Sequence, residues 1–531
     1  MQGRGGGASS SSGDGDLSTT QSGSTAGQNE KRGDTKEGKP ARGVTMSDEV
    51  VPPAAGGSAY PPARASRSSR QGTREASFEV PPLRQRLTEL FVAEHPIKNE
   101  PTVMQSLKAI AFASWFNVLL VFIPVGWAMH FAKLNETIIF VFTFLAILPL
   151  AGLLSFGTEE LALRVGQTLG GLLNATLGNA TELIVAIIAL VKGELQLVQS
   201  SLLGSILSNL LLVLGMVFFV GGIRFSEQGF KDTAAQLNSS LLVISVIAIL
   251  LPAGYNAAFS DNQTAEVERD HILKMSRGIA VILLVVYLAY LFFQLFTHKH
   301  LYAEGHVDPD DPIVRDGRQV WREHRVFRPA PSARRPRQIE TGLEEEEEVE
   351  EEMPSLNKWV ALGLLVVATV LIAVTSEFLV DSISGLTQQH PEISVEWVGL
   401  ILLPIAGNVA EHVTAVTVSF KDKIDLSVNQ LESGFYCAQC LMGVAVGSSI
   451  QISLFVVPFI TILAWIINKP LSLLFDPFES IVLFLSVLIV NYTIQDGRSN
   501  WLEGFLLMSV YIILAVSFWY YPNGGGATLT G

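Results

Sequence analysis

Only two of the 531 residues are cysteine, Cys437 and Cys440, so no disulfide framework holds this chain together. Their C-x-x-C spacing at the start of an apolar segment reads as inert. Histidine is scarce, nine in all, and no His and Cys set has the make-up of a zinc site. The alternating pattern of a transmembrane barrel is absent. No apolar h-region follows a charged start, so no signal peptide is expected. Charged residues amount to 16%, much of it in tails and one linker, so the apolar segments are purer than that average. The net charge of −14 gives no case for nucleic-acid binding.

What remains is oil. The chain is 49% hydrophobic with mean hydropathy +0.37, and apolar runs of 18 or more residues recur. That pattern predicts an all-α polytopic membrane protein embedded in a lipid bilayer. Residues 1–100 are rich in Gly, Ser, Pro, Arg and acidic residues and bury too little to offset their ordering entropy, so a disordered tail is expected there. Eleven spans follow, near 108–131, 137–156, 158–191, 195–222, 234–252, 273–296, 358–383, 394–420, 435–467, 477–490 and 501–521. The parts are then a first transmembrane helix within 101–136, five spans within 137–297, a hydrophilic linker over 298–356, five spans within 357–521 and a short tail, 522–531. Two sets of an odd number of spans must face opposite ways, an inverted repeat after one N-terminal helix.

The repeat carries chemistry. Gly178–Glu182 reads Gly-Asn-Ala-Thr-Glu and Gly407–Glu411 reads Gly-Asn-Val-Ala-Glu, each inside an apolar stretch. A charge at bilayer depth costs about 2.5–3.5 kcal/mol on insertion scales, so Glu182 and Glu411 mark a functional site rather than a packing bond. Two more landmarks recur in the same order. Thr158-Glu159-Glu160 matches Thr375-Ser376-Glu377, and Gly204-Ser205 with Ser208 matches Gly447-Ser448 with Gln451. Helical spacing predicts one face for Asn174, Gly178 and Glu182, and another for Pro404, Gly407, Glu411 and Thr414.

Together the two glutamates offer hard anionic oxygens. Turn carbonyls at Gly178 and Gly407, the amides of Asn179 and Asn408, and Ser205, Ser448 and Gln451 can complete an oxygen shell of the kind Ca²⁺ takes. Each of the amides and hydroxyls fits interhelical packing as well. Two carboxylates in one dry site cannot both stay ionised easily, whereas a divalent cation stabilises both charges. Competition between Ca²⁺ and protons for one site is the minimum chemistry of an antiporter. His412 fits a proton relay or a packing role. Glu160 and Glu377 fit the ion's access path or hydrated helix ends.

The paired motifs Gly178–Glu182 and Gly407–Glu411, with His412 following the second, resemble the α-repeats of the cation/Ca²⁺ exchanger superfamily. Its Ca²⁺/H⁺ antiporter branch, known from fungal and plant vacuoles, is the nearest match, over roughly 100–521. The Ser- and Pro-containing acidic motifs of the sodium/calcium branch do not occur here. The family also has an acidic helix between its halves. Glu344, Glu345, Glu346, Glu347, Glu348, Glu350, Glu351 and Glu352 resemble it, which suggests either a regulatory, cation-attracting tract or a merely solvated one. The resemblance implies a transporter, not an enzyme, with Ca²⁺ and H⁺ as substrates and no cofactor, in the vacuolar membrane. Protein partners are left open, a homo-oligomer included. A Na⁺- or K⁺-coupled exchanger and a cation channel stand as alternatives.

Lys and Arg near span ends set the expected orientation. With the N-terminus cytosolic, Arg224, Lys231, Lys421, Lys423, Arg498 and the linker are cytosolic and the C-terminus is luminal. Lys133, Lys192, Arg269 and Lys469 fall opposite, so the bias is modest. The sequons at Asn135 and Asn262 fall on the luminal side.

Overall fold

The computed structural model describes residues 100–165, 167–224, 228–230, 232–259, 264–298, 354–413, 415, 443 and 445–521. Thr414, the two cysteines and the acidic run 344–352 lie outside the described residues.

Apolar runs without water to satisfy their backbone have one economical solution, the helix. In order these are α1 (Val103–Phe112), α2 (Trp115–Phe131), α3 (Glu136–Ala162), α4 (Gln167–Leu177), α5 (Ala180–Lys192), α6 (Leu195–Ile223), α7 (Asp232–Phe259) and α8 (Ala265–Phe292). The second half gives α9 (Lys358–Gln389), α10 (Val395–Gly407), α11 (Ala445–Ile466), α12 (Pro477–Ile494) and α13 (Trp501–Trp519). Among the described residues eight helices are long and apolar enough to cross a membrane, and α1 with α2 makes a bent ninth. Two expected spans, those carrying the repeated motif, are interrupted.

The expected span 108–131 is in fact an elbow, with α1 and α2 bent by 91°. The reason is local. Asn117 Nδ2 donates to the Ile110 carbonyl at 2.8 Å and Ser114 Oγ accepts from Phe116 N at 3.3 Å, so side chains take backbone groups a continuous helix would have used.

The expected span 158–191 is likewise corrected. Its first residues belong to the end of α3, and the remainder is α4 and α5 separated at Gly178-Asn179. In the second half the helix breaks at Asn408 and resumes over 409–413. Asn179 (φ −100°, ψ 24°) and Asn408 (φ −86°, ψ 20°) adopt the same conformation outside the helical basin. The face expected for Asn174, Gly178 and Glu182 is therefore divided, with Asn174 on α4 and Glu182 on α5. That of Pro404, Gly407 and Glu411 is divided by the Asn408 break, with Pro404 and Gly407 together on α10 and Glu411 beyond it. The halves match again where α6 and α11 widen into π-turns, Ser208–Val213 and Ile452–Val456.

Burial sorts the helices into inner and outer. In α6, 72% of the apolar window is buried, against 22% in α8 and in α13, so α6 is central and α8 and α13 turn most of their surface outward. Helices α3 and α9, one from each half, pack along their length. Without water to drive apolar contact, close backbone approach holds membrane helices together. Gly204 of α6 meets α10 so tightly that a Cβ there would stand 2.6 Å from Pro404 Cγ and closer still to the Leu400 carbonyl. This contact brings the two halves together beside the Asn408 break. A two-residue ribbon, β1 (Gln228–Gly229) antiparallel to β2 (Arg498–Ser499), ties the α6–α7 and α12–α13 connections.

Candidate functional site

Asn179 and Asn408 sit at the two breaks because a short polar side chain tolerates the non-helical conformation and can answer the backbone or a neighbouring helix. Each reaches across to the other half. Asn179 Nδ2 donates to Gln451 Oε1 at 2.6 Å, and Asn408 Nδ2 donates to the Ser205 carbonyl at 3.3 Å. With their nitrogens engaged, their oxygens are left over. Asn179 Oδ1 and Asn408 Oδ1 are buried and have no hydrogen-bond partner among the described residues.

Glu182 lies in the first turn of α5, and neither of its buried carboxylate oxygens has a partner among the described residues. It leans on the opposite half, since a Cβ at Gly407 would stand 2.8 Å from Glu182 Oε1. Glu411 is buried and close enough to Glu182 for their charges to act on one another. A cavity of ≈ 20 Å³ is lined by Thr181, Glu182, Ser201, Ser205, Gly407 and apolar neighbours that include Ile147 and Leu379. That is room for about one water-sized occupant. A buried polar oxygen without a partner loses about 1–3 kcal/mol, more when charged. The unpartnered Glu182 oxygens face this small space from one half and Gly407 closes it from the other, an arrangement that a donor or a cation would complete.

Several other candidates are placed differently. Glu160 is buried, but both its oxygens are engaged, accepting from Ser355 N and Leu356 N at 2.9 Å each. This bracket fastens the end of the linker to α3. The neighbouring Glu159 is exposed, accepts from Ser155 Oγ at 3.3 Å and lies within electrostatic reach of Glu411. Glu377 is exposed, and Lys192 at the end of α5 bonds to its carbonyl at 3.3 Å and pairs with Asp381. His412 is half-buried, with neither ring nitrogen partnered among the described residues. Ser448 is half-buried, while the adjacent Ser449 is fully buried and reaches the Ile206 carbonyl at 3.5 Å. Gly178 is exposed at the break itself.

A second acidic group escaped the sequence reading. Glu396 and Glu479, both buried, lie within electrostatic reach of one another and of Asp476. Glu396 takes a hydrogen bond from Gln196. Asp476 caps α12 and accepts from Tyr521 Oη at 2.9 Å. Burial first, and then the Asp476 carboxylate, push the Tyr521 pKa up, so this phenol stays a donor. The carboxylates stand at the starts of α10 and α12, where a sequence reading expects hydrated helix ends.

The sequence model of the family described as sodium/calcium exchanger protein matches this chain twice, over residues 135–296 and 360–520. A vacuolar calcium ion transporter of Cryptococcus neoformans var. grubii is 49% identical, covering 94% of this chain and 89% of its own length. A Ca²⁺/H⁺ antiporter of Synechocystis sp. is 42% identical over 77% of this chain and 98% of its own. Among solved structures, native YfkE superposes with a TM-score of 0.56 at 28% identity, covering 76% of this chain and all of that one.

Proposed function

The chain belongs to the sodium/calcium exchanger protein family, and from that premise we propose that it exchanges cytosolic Ca²⁺ for luminal H⁺, loading the vacuole with Ca²⁺. The observation that carries the reading is Glu182, whose two buried carboxylate oxygens have no partner among the described residues and which lines an ion-sized cavity between the halves, together with the unpartnered Asn179 and Asn408 oxygens at the two helix breaks. The names of the relatives, vacuolar calcium ion transporter and Ca²⁺/H⁺ antiporter, support both the cargo and the compartment.

In this reading Glu182 and Glu411 hold Ca²⁺ by their carboxylates, with Asn179 Oδ1, Asn408 Oδ1 and neighbouring carbonyls filling the shell. When Ca²⁺ leaves, protons take its place on the same carboxylates, because two bare charges in a dry site repel and lack solvation. One site with two alternative loads couples the fluxes, provided the site opens to one side at a time. Glu159 supplies negative charge on an approach to Glu411. The N-terminus and the 298–356 linker face the cytosol, and the C-terminus faces the lumen.

The test is Ca²⁺ uptake by the purified full chain in proteoliposomes. An acid interior should drive Ca²⁺ inward against its gradient and alkalinise the interior as it does so. Uptake that needs Na⁺ or K⁺ and ignores interior pH would replace the proton by another coupling ion. Flux that only runs downhill would make the protein a channel.

A further inference from the structure

We propose that α1 lies in the plane of the membrane surface, with its Val103, Met104, Leu107 and Ala111 stripe set into the boundary between headgroups and acyl chains. At 100° per residue these four side chains fall within an arc of about 100°. All four are exposed, Met104 by 76%. Lys108 and Gln105 stand beyond one edge of the stripe, so polar heads border the apolar band as they do on helices that rest at an interface.

What lies beyond the stripe's other edge decides the orientation. Ser106 is fully buried; its hydroxyl donates to the Thr102 carbonyl at 3.0 Å and accepts from Asn357 N at 2.8 Å. Glu100, just before α1, pairs with Arg164 of the α3 terminus at 3.4 Å and with Lys358 at 3.8 Å, and accepts from Asn357 Nδ2 at 3.2 Å. Arg164 in turn holds the Leu356 carbonyl. This clasp bolts α1 to the ends of α3 and α9, so its apolar stripe is not free to turn inward.

The occupant follows from continuity. Beyond the 91° elbow, Trp115, Val118 and Val121 are exposed on α2, the outward surface of a helix of the membrane domain. The exposed α1 stripe and this surface flank the same right-angled elbow, and Trp115 at the corner is a residue type enriched at the headgroup level. A bilayer boundary meets both surfaces at once.

The full chain, reconstituted in phosphatidylcholine–phosphatidylserine nanodiscs, provides the test. Nitroxide labels are carried by Met104→Cys, Leu107→Cys or Gln105→Cys in a Cys437→Ser, Cys440→Ser background. Labels at 104 and 107 should be several-fold more accessible to O₂, and several-fold less accessible to a water-soluble nickel chelate, than the label at 105. Equal nickel access at all three positions would place the stripe in water and overturn the proposal. Spin–spin broadening at 104 and 107 would seat a second copy there and overturn it equally. Should the cysteine-free background not fold, Met104→p-benzoylphenylalanine in the otherwise unaltered chain gives the same decision. Lipid adducts on irradiation support the proposal, and adducts to protein alone, or none, refute it.

Discussion

Gly407→Ala is a one-methyl test of the site. The added Cβ would stand 2.8 Å from Glu182 Oε1 and 3.2 Å from its carboxyl carbon, about 0.6 Å inside ordinary contact at the oxygen. Nothing in the backbone opposes the change, since Gly407 has no positive φ. Removing a glycine's freedom where φ allows it stabilises a fold by about 0.4–1 kcal/mol. The strain therefore falls on the Glu182 side chain, which has to rotate away. A rotation of about 30° off a rotamer costs roughly 0.5–1.5 kcal/mol, and with 1.4 kcal/mol per decade that is a two- to tenfold rise in the Ca²⁺ concentration for half-maximal uptake. Thermal stability in detergent should hold or rise while affinity falls. Gly254→Ala, which meets nothing within 4 Å, should leave affinity unchanged and likewise hold or raise thermal stability. If Gly407→Ala transports Ca²⁺ with unaltered affinity, Glu182 does not hold its cargo from this position.

Glu182→Gln and Glu411→Gln should each abolish Ca²⁺-driven proton movement while the protein still inserts and purifies, and near-normal exchange in either would remove that residue from the site. Glu160→Gln weakens two charge-assisted bonds that fasten the linker to α3. It should lower the unfolding temperature, with about 1–3 kcal/mol lost, yet leave Ca²⁺ affinity in place; loss of affinity at unchanged stability would return Glu160 to the ion's path. A double-mutant cycle of Asn179→Ala with Gln451→Ala should give a coupling of about 0.6–1.7 kcal/mol, the range of interhelical bonds in a membrane protein, and strictly additive effects would mean the 2.6 Å bond carries no energy. Replacing the glutamates of 344–352 by Gln should shift the dependence of uptake on cytosolic Ca²⁺ without ending exchange, and overlaid uptake curves would make the run a solvated tract.

The spans were legible because an apolar run longer than a bilayer has few other uses. The repeated Gly-Asn-x-x-Glu was legible for a related reason, since a carboxylate in such a run demands an explanation. The breaks were not. Asn179 and Asn408 interrupt their helices through a φ/ψ choice and cross-half hydrogen bonds, and neither follows from an apolar pattern that continues unchanged on both sides. The choice between Glu159 and Glu160 was hidden too. Helix α3 is apolar around much of its circumference, so its sequence carries no phase to say which of two adjacent carboxylates faces inward. Glu396 and Glu479 were passed over because, next to a span end, a carboxylate looks hydrated until the neighbouring helices are in place.

The break at Gly178-Asn179 also has a polarity. Peptide dipoles add along a helix to about half a positive charge at its start and half a negative charge at its end. The lip formed by the last turn of α4 is therefore negative, a natural seat for a cation, while the lip formed by the first turn of α5 is positive, and Glu182 stands in that turn. One interruption thus offers a fixed partial charge to a cation and the opposite one to the carboxylate proposed to hold it. Neither lip depends on a titratable group. When cargo is exchanged for protons the side chains change their charge, but the backbone field that orients them stays as it was.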